Sequence, residues 1–169
     1  MASAEDNLLD WLRDAHAMEQ QAETMLQKTA SRLDNYPTLK ARLQSHIEET
    51  REQARLVKSC IDRRGAGTSA LKDVAAKVTA TAQGLSGLFV SDEVVKASMA
   101  SYTFEHMEIA SYKCLIAAAD AVGDGETSRI CRQILQQEEA MAAWLAEQLP
   151  QVTQQFLQLA QTPGATAKH

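Results

Sequence analysis

Long apolar runs, basic runs, glycine, proline and aromatic residues are all scarce in this chain. No stretch approaches the roughly 20 consecutive apolar residues of a spanning helix, so no membrane partner is expected. Seven Gly, three Pro and 5% aromatics, beside abundant Ala, Leu, Gln and Glu, argue against a turn-rich sheet and for an all-α protein. The 17 Lys and Arg residues are scattered and the formal net charge is -5, which argues against nucleic acid or anionic lipid as a partner. The three cysteines, Cys60, Cys114 and Cys131, are odd in number and widely spaced. They read as reduced packing residues, not a disulfide frame or a zinc site. No basic segment followed by an apolar one opens the chain, so the expected setting is cytoplasmic.

What the chain does have is amphipathic helix, arranged as one domain over residues 1–169, with an ordered core over about 4–161. A first helix is expected from residue 3 or 4 to 33, capped by Ser3 with Asp6 three residues on. Leu8, Leu12, Ala15, Glu19, Ala22, Leu26 and Leu33 trace its inner face, widened by Trp11, Met18 and Met25. Asp34-Asn35-Tyr36-Pro37 ends it, because the residue before proline is pushed out of the α region. A second helix, from 37 or 38 to 63, follows with proline in its first turn and glycine after its end. Its apolar side is Leu39, Leu43, Ile47, Ala54, Val57 and Ile61, with His46, Glu49, Gln53 and Leu56 alongside.

Residues 68–83 predict a shorter amphipathic helix, and 84–90 a loop with apolar anchors. A connector of about 25 residues covers roughly 30–40 Å if helical, the length of a bundle helix, and reads as a crossover. A third long helix is expected from Ser91, as cap, to near Gly123, and a fourth from 126 to 149, stopped by Pro150. A last short helix would occupy 151–161, and 162–169 would be a disordered tail. The third helix carries Ser98, Ser101, Glu105, Glu108, Tyr112, Leu115, Ala119 and Val122 on one stripe; the fourth carries Ile134, Glu138, Met141 and Leu145.

Each long helix therefore has an acid near its middle and on or beside its core stripe: Glu19, Glu49, Glu105 or Glu108, and Glu138. In a four-helix bundle, mid-helix positions meet at one level whichever way each helix runs. Four carboxylates gathered there, with His46, repel one another unless a cation joins them. Oxygen donors with one nitrogen suit iron or manganese in a carboxylate-bridged pair, whereas zinc usually takes more His or Cys. The competing account is that single helical glutamates are mostly solvated, which is the expectation for Glu48, Glu52, Glu139 and Glu147. His16 and Glu139 are candidates to join the site, His106 is expected at a helix boundary or in solvent, and Tyr112, one turn beyond Glu108, could hydrogen-bond a ligand residue but is expected to fill the core.

The segments Leu12-Arg13-Asp14-Ala15-His16-Ala17-Met18-Glu19, His46-Ile47-Glu48-Glu49-Thr50, Glu105-His106-Met107-Glu108-Ile109-Ala110-Ser111-Tyr112 and Glu138-Glu139 resemble the YciE/YciF-type bacterial stress proteins of the ferritin-like superfamily. The segment Asp14 to Glu19 resembles the YciE branch most. The resemblance implies a ferritin-like four-helix bundle with a dinuclear site from all four helices, and a homodimer. It also implies an internal repeat, in which His16 and Glu19 match Glu105 and Glu108, and His46 and Glu49 match Leu135 and Glu138. Ferritins and rubrerythrins carry Glu-x-x-His on their second and fourth helices. Here Glu52 follows Glu49 and Met141 follows Glu138 at that spacing, and the reverse order His46-x-x-Glu49 occurs once.

Two functions follow as expectations. One is a stress-response protein whose iron or manganese pair, held by Glu19, His46, Glu49, Glu105, Glu108 and Glu138, handles peroxide, dioxygen or Fe(II), as a peroxidase, catalase or ferroxidase would. The other is a non-enzymatic dimeric stress or interaction protein whose metal is structural or vestigial.

Overall fold

The computed structural model describes residues 2–65 and 93–167. Four helices account for most of them: α1 (Ala4–Ala30), α2 (Pro37–Arg63), α3 (Glu93–Ala121) and α4 (Gly125–Ala160). Among the described residues there is no strand. The expected connector helix at 68–83, the loop at 84–90 and the Ser91 cap lie outside the described residues.

Local chemistry sets the helix ends. Ser3 Oγ accepts from the Asp6 backbone N–H at 3.1 Å, and Asp6 Oδ2 accepts from the Ser3 N–H at 2.9 Å, which satisfies two otherwise orphaned donors. α1 stops at Ala30 and not at 33, because Arg32 and Leu33 donate to Thr29 and Ala30 three residues back and tighten the last turn. Leu33 is still buried, so the apolar stripe outlasts the helix. Pro37 opens α2. Gly65 and Gly123 sit after α2 and α3 with φ of +71° and +76°, a region that L side chains rarely enter. Asp124 caps α4, accepting from the Thr127 N–H at 3.0 Å and its hydroxyl at 2.6 Å.

Helix direction follows from two sets of contacts. At one end, Arg64 after α2 pairs with Glu5 at the start of α1 and, at 2.6 Å, with Asp124 between α3 and α4. At the other end, Ala30, Tyr36, Leu39, Val94, Leu145 and Val152 share one apolar cluster. α1 and α4 thus run one way and α2 and α3 the other. α1 packs on α2 and α3, and α4 packs on α3 and α2, so helices that pack together run antiparallel. α2 ends and α3 begins at opposite ends of the bundle.

The fourth helix corrects one expectation. It runs through Pro150 to Ala160, so no separate short helix exists at 151–161. Proline in a helix interior loses a hydrogen bond and costs about 3 kcal/mol. Here Pro150 and Ala146, whose carbonyl loses its partner, are both exposed, so water can take the bond. Beyond the proline, buried Val152 with Phe156 and Leu159 packs into the cluster around Leu33 and Tyr36, and each such side chain contributes about 1.5–3 kcal/mol when fully buried. Packing outweighs the local penalty. The segment after α4 is also tied down: the Thr166 carbonyl accepts from Asn35 Nδ2 at 2.8 Å and the Ala167 carbonyl from the Tyr36 hydroxyl at 2.7 Å.

Two outcomes check this description. Pro150→Ala should raise stability by roughly 2–3 kcal/mol in chemical denaturation, whereas a helix that ended at 149 would gain nothing. Burial alone would raise the pKa of Asp124, but the Thr127 bonds and Arg64 outweigh it and hold the carboxyl at about 2, below its usual 3.8. A depressed carboxylate stabilises the fold above its unfolded pKa and loses that contribution as pH falls through the folded value. Asp124→Ala should therefore cost roughly 1–2 kcal/mol near pH 7, part of the ion-pair share being screened by water, and the difference should shrink between about pH 4 and pH 2.

Candidate metal centre

The apolar core is not continuous. Leu8, Leu12, Val57, Cys60, Ile61, Leu115, Ile116, Ile130, Cys131 and Ile134 form one cluster near the end where α1 begins. Leu26, Leu33, Tyr36, Leu43, Ile47, Met141 and Leu145 belong to the other. Buried polar side chains interrupt the apolar stripe on every helix: Glu19 on α1, His46 and Gln53 on α2, Glu105 and Glu108 on α3, and Glu138 on α4. All six are at most 2% exposed, so no carboxylate among them is solvated from outside.

The His46 imidazole is the hub. Its Nδ1 lies 2.7 Å from Glu49 Oε2, which also accepts from Arg42 Nη1 at 3.2 Å. Its Nε2 lies between two carboxylates, 3.3 Å from Glu105 Oε2 and 3.5 Å from Glu138 Oε2, and is not aimed well enough at either to satisfy it. One donor atom each from His46, Glu105 and Glu138 falls within 4.8 Å of the other two, the spacing of a shared ion. The Tyr112 hydroxyl donates to Glu19 Oε1, and Gln53 Nε2 donates to Glu138 Oε1 and, at 3.0 Å, to Gln137 Oε1.

Burial pushes the Glu19 carboxyl well above its usual value, with the Glu138 charge adding to it and the Tyr112 bond and His46 opposing. Burial does the same to Glu108, reinforced by Glu19, Glu138 and Glu105. Glu105 is raised to about 7 by burial, with His46 pulling the other way. For His46, burial disfavours the charged ring, but the surrounding Glu105, Glu138 and Glu49 carboxylates outweigh it and push its pKa up to about 11. Burial also pushes the Tyr112 phenol well above its usual value. The metal-free centre thus keeps itself near neutrality by holding protons.

The structure brings Glu19, His46, Glu105, Glu108 and Glu138 into one buried layer and leaves Glu49 outside it. Glu49 lies on the rim of α2, about a third exposed, and its carboxyl is lowered first by the His46 bond and further by Arg42. The inner stripe of α2 runs instead through His46, Thr50, Gln53 and Val57. Glu19 and Glu108, matched in the suggested repeat, are both buried within electrostatic reach of each other, whereas Glu49 and Glu138, also matched, take different places. His16 is buried, but the charges it feels are Lys58 and Asp62; burial, then Lys58, lowers its pKa. His106 is exposed and stacks edge-on against Tyr102 at 4.6 Å. Glu139 is exposed and pairs with Lys113 at 3.2 Å, and Glu48, Glu52 and Glu147 are exposed. Trp11, expected on the inner face of α1, is 46% exposed.

Two members were not assigned to the site from sequence. Gln53 stands two turns after His46 on the same face, which was the available signal. Tyr112 fills the core as expected and its hydroxyl also holds a candidate ligand, Glu19 on another helix, a partner that spacing within α3 does not reveal.

The residues present fit a metal ion held by His46, Glu105 and Glu138. Glu19 Oε2, Glu105 Oε2 and Glu138 Oε2 are buried without a hydrogen-bond partner, a costly state that a cation would relieve. Carboxylate oxygens with a single imidazole nitrogen suit a divalent cation better than they suit a soft, thiolate-preferring one.

The raised carboxyls fix a sign. A group whose folded pKa lies above its unfolded value stabilises the fold fully below the unfolded value and loses that contribution as pH rises through the folded one. For Glu19, Glu105 and Glu108 the loss starts above the usual 4.5, and His46 adds to it above 6.5. Metal-free protein should therefore become less stable from about pH 5 to pH 8, and Glu108→Gln, which keeps a neutral side chain, should make the slope shallower in denaturant titrations. A flat profile in the unsubstituted protein would contradict this electrostatic account.

Comparison with known proteins agrees with the bundle. Residues 3–158 match the family described as a domain of unknown function, DUF892. A crystal structure of a protein from Xanthomonas campestris pv. campestris is 37% identical, with a TM-score of 0.80 over 95% of this chain and 100% of that one. YcfI from Rhodopseudomonas palustris is 28% identical, with a TM-score of 0.67 over 86% and 94% of the two chains. The E. coli stress protein YciF, at 22% identity and a TM-score of 0.67 over 88% and 96%, shares the fold. With the matched region spanning all four helices and every residue of the polar layer, this chain belongs to the DUF892 family.

Proposed function

We propose that this chain is a bacterial stress-response protein with a carboxylate-bridged pair of iron or manganese ions in the middle of its bundle. The observation that carries the proposal is the buried layer of four carboxylates and one imidazole, with three carboxylate oxygens lacking partners. Charge supports a pair of divalent ions. Four ionised carboxylates and a neutral imidazole balance two of them, which a dry core requires. Glu19, His46, Glu105, Glu108 and Glu138 would hold them, with Glu49 acting on His46 from outside. Bound there, iron or manganese would supply the one-electron capacity toward peroxide or dioxygen that these side chains lack. The chain itself would bind the ions, keep bulk water out with the two apolar clusters, and exchange protons for metal at Glu19, Glu105, Glu108 and His46. The stress role is supported by the shared fold with YciF. The YciE branch rests on the segment Asp14 to Glu19, and a cytoplasmic setting on three free cysteines.

Metal-free, Glu19, Glu108 and His46 hold protons near pH 7 and Glu105, raised to about 7, holds one part of the time. Loading metal should thus release roughly three to four protons near pH 7. Calorimetry of Mn(II) or anaerobic Fe(II) binding in buffers of different ionisation enthalpy reads that number directly. Glu108→Ala should lose at least one ion, and metal-loaded wild type should consume peroxide. No turnover by fully loaded protein would remove the catalytic reading and leave the binding one.

A second reading, a dimeric non-enzymatic module, draws on the outer face of α3. Met99 is 55% exposed and Met107 38%, and Ala110, Cys114 and Ala117 continue that face. A melting temperature indifferent to chelators, together with a metal-free preparation and a dimer in solution, would favour it.

A further inference from the structure

A carboxylate offers two equal oxygens, and in a cluster of four each could turn, chelate with both, or bond to a neighbour. Two of the four are held against this. Glu19 Oε1 is taken by the Tyr112 hydroxyl and Glu138 Oε1 by Gln53 Nε2, while the Oε2 atom of each is buried and unpartnered. Both anchors are themselves fixed. The Tyr112 ring is fully buried in the apolar cluster around Leu115, and the Gln53 carboxamide spans Gln137 and Glu138. Both also cross between the two hairpins of the fold: Tyr112 on α3 holds Glu19 on α1, and Gln53 on α2 holds Glu138 on α4.

We propose that Tyr112 and Gln53 are positioning residues that make Glu19 and Glu138 single-oxygen donors, so that the docking of the two hairpins sets the geometry of the centre. The inference rests on the metal-site reading above. A phenol hydroxyl and a carboxamide N–H are neutral donors, so each can occupy one oxygen without adding charge that would repel a cation. Glu49 acts alike on the imidazole, holding Nδ1 and leaving Nε2 toward Glu105 and Glu138.

Co(II) is a suitable probe, because its visible absorption reports coordination number. Tyr112→Phe removes only the hydroxyl, and Gln53→Met removes the donor while keeping side-chain length. Titrated with Co(II), each variant should bind 10–100-fold more weakly than wild type. The absorption per bound ion should also shift from that of wild type as the released oxygen joins the ion. Variants that melt lower when metal-free, but bind Co(II) with the wild-type affinity and spectrum, would show a merely structural role and overturn the inference. Wild-type protein that takes up no Co(II), Mn(II) or Fe(II) would instead overturn the metal-site reading, and this inference with it.

Discussion

The structure turns on the cost of burying four carboxylates and an imidazole inside the apolar core. An isolated ion in such a core costs several kcal/mol, and replacing it with a well-packed apolar side chain usually stabilises a protein. A chain selected only for stability would carry leucine at Glu19, Glu108 and Glu138, in line with their neighbours on each stripe. The apolar clusters around it supply the stability that lets the layer persist. Protons, in the absence of metal, keep the layer near neutral.

The cost also explains the hydrogen bonds around the layer. Tyr112, Gln53 and Glu49 each satisfy one atom of a buried polar group and leave another atom directed inward. The pattern joins α1 to α3 and α2 to α4. The polar layer, and not only apolar packing, therefore fixes how the two hairpins meet.

Much of the bundle was legible in the sequence because helix periodicity is strong. The stripe from Ser98 to Ala119 on α3 is buried throughout, and the α2 bounds follow from Pro37 and Gly65. The central acids were legible because charge on an apolar stripe is rare unless something compensates it. Glu49 was harder: at three residues from His46, either could face inward, and Arg42 one side of the rim decides for Glu49 outside. The continuation of α4 through Pro150 depends on what Val152 and Phe156 pack against, a tertiary fact that local propensity does not contain. The Tyr112 hydroxyl depends on a contact across 93 residues.

Crystals of the protein grown with Mn(II), measured for anomalous scattering, address the central claim most directly. Two anomalous peaks should lie in the bundle centre, within coordination distance of Glu19, His46, Glu105, Glu108 and Glu138. Peaks confined to surface carboxylates, or no central peak in protein shown to be saturated, would contradict it.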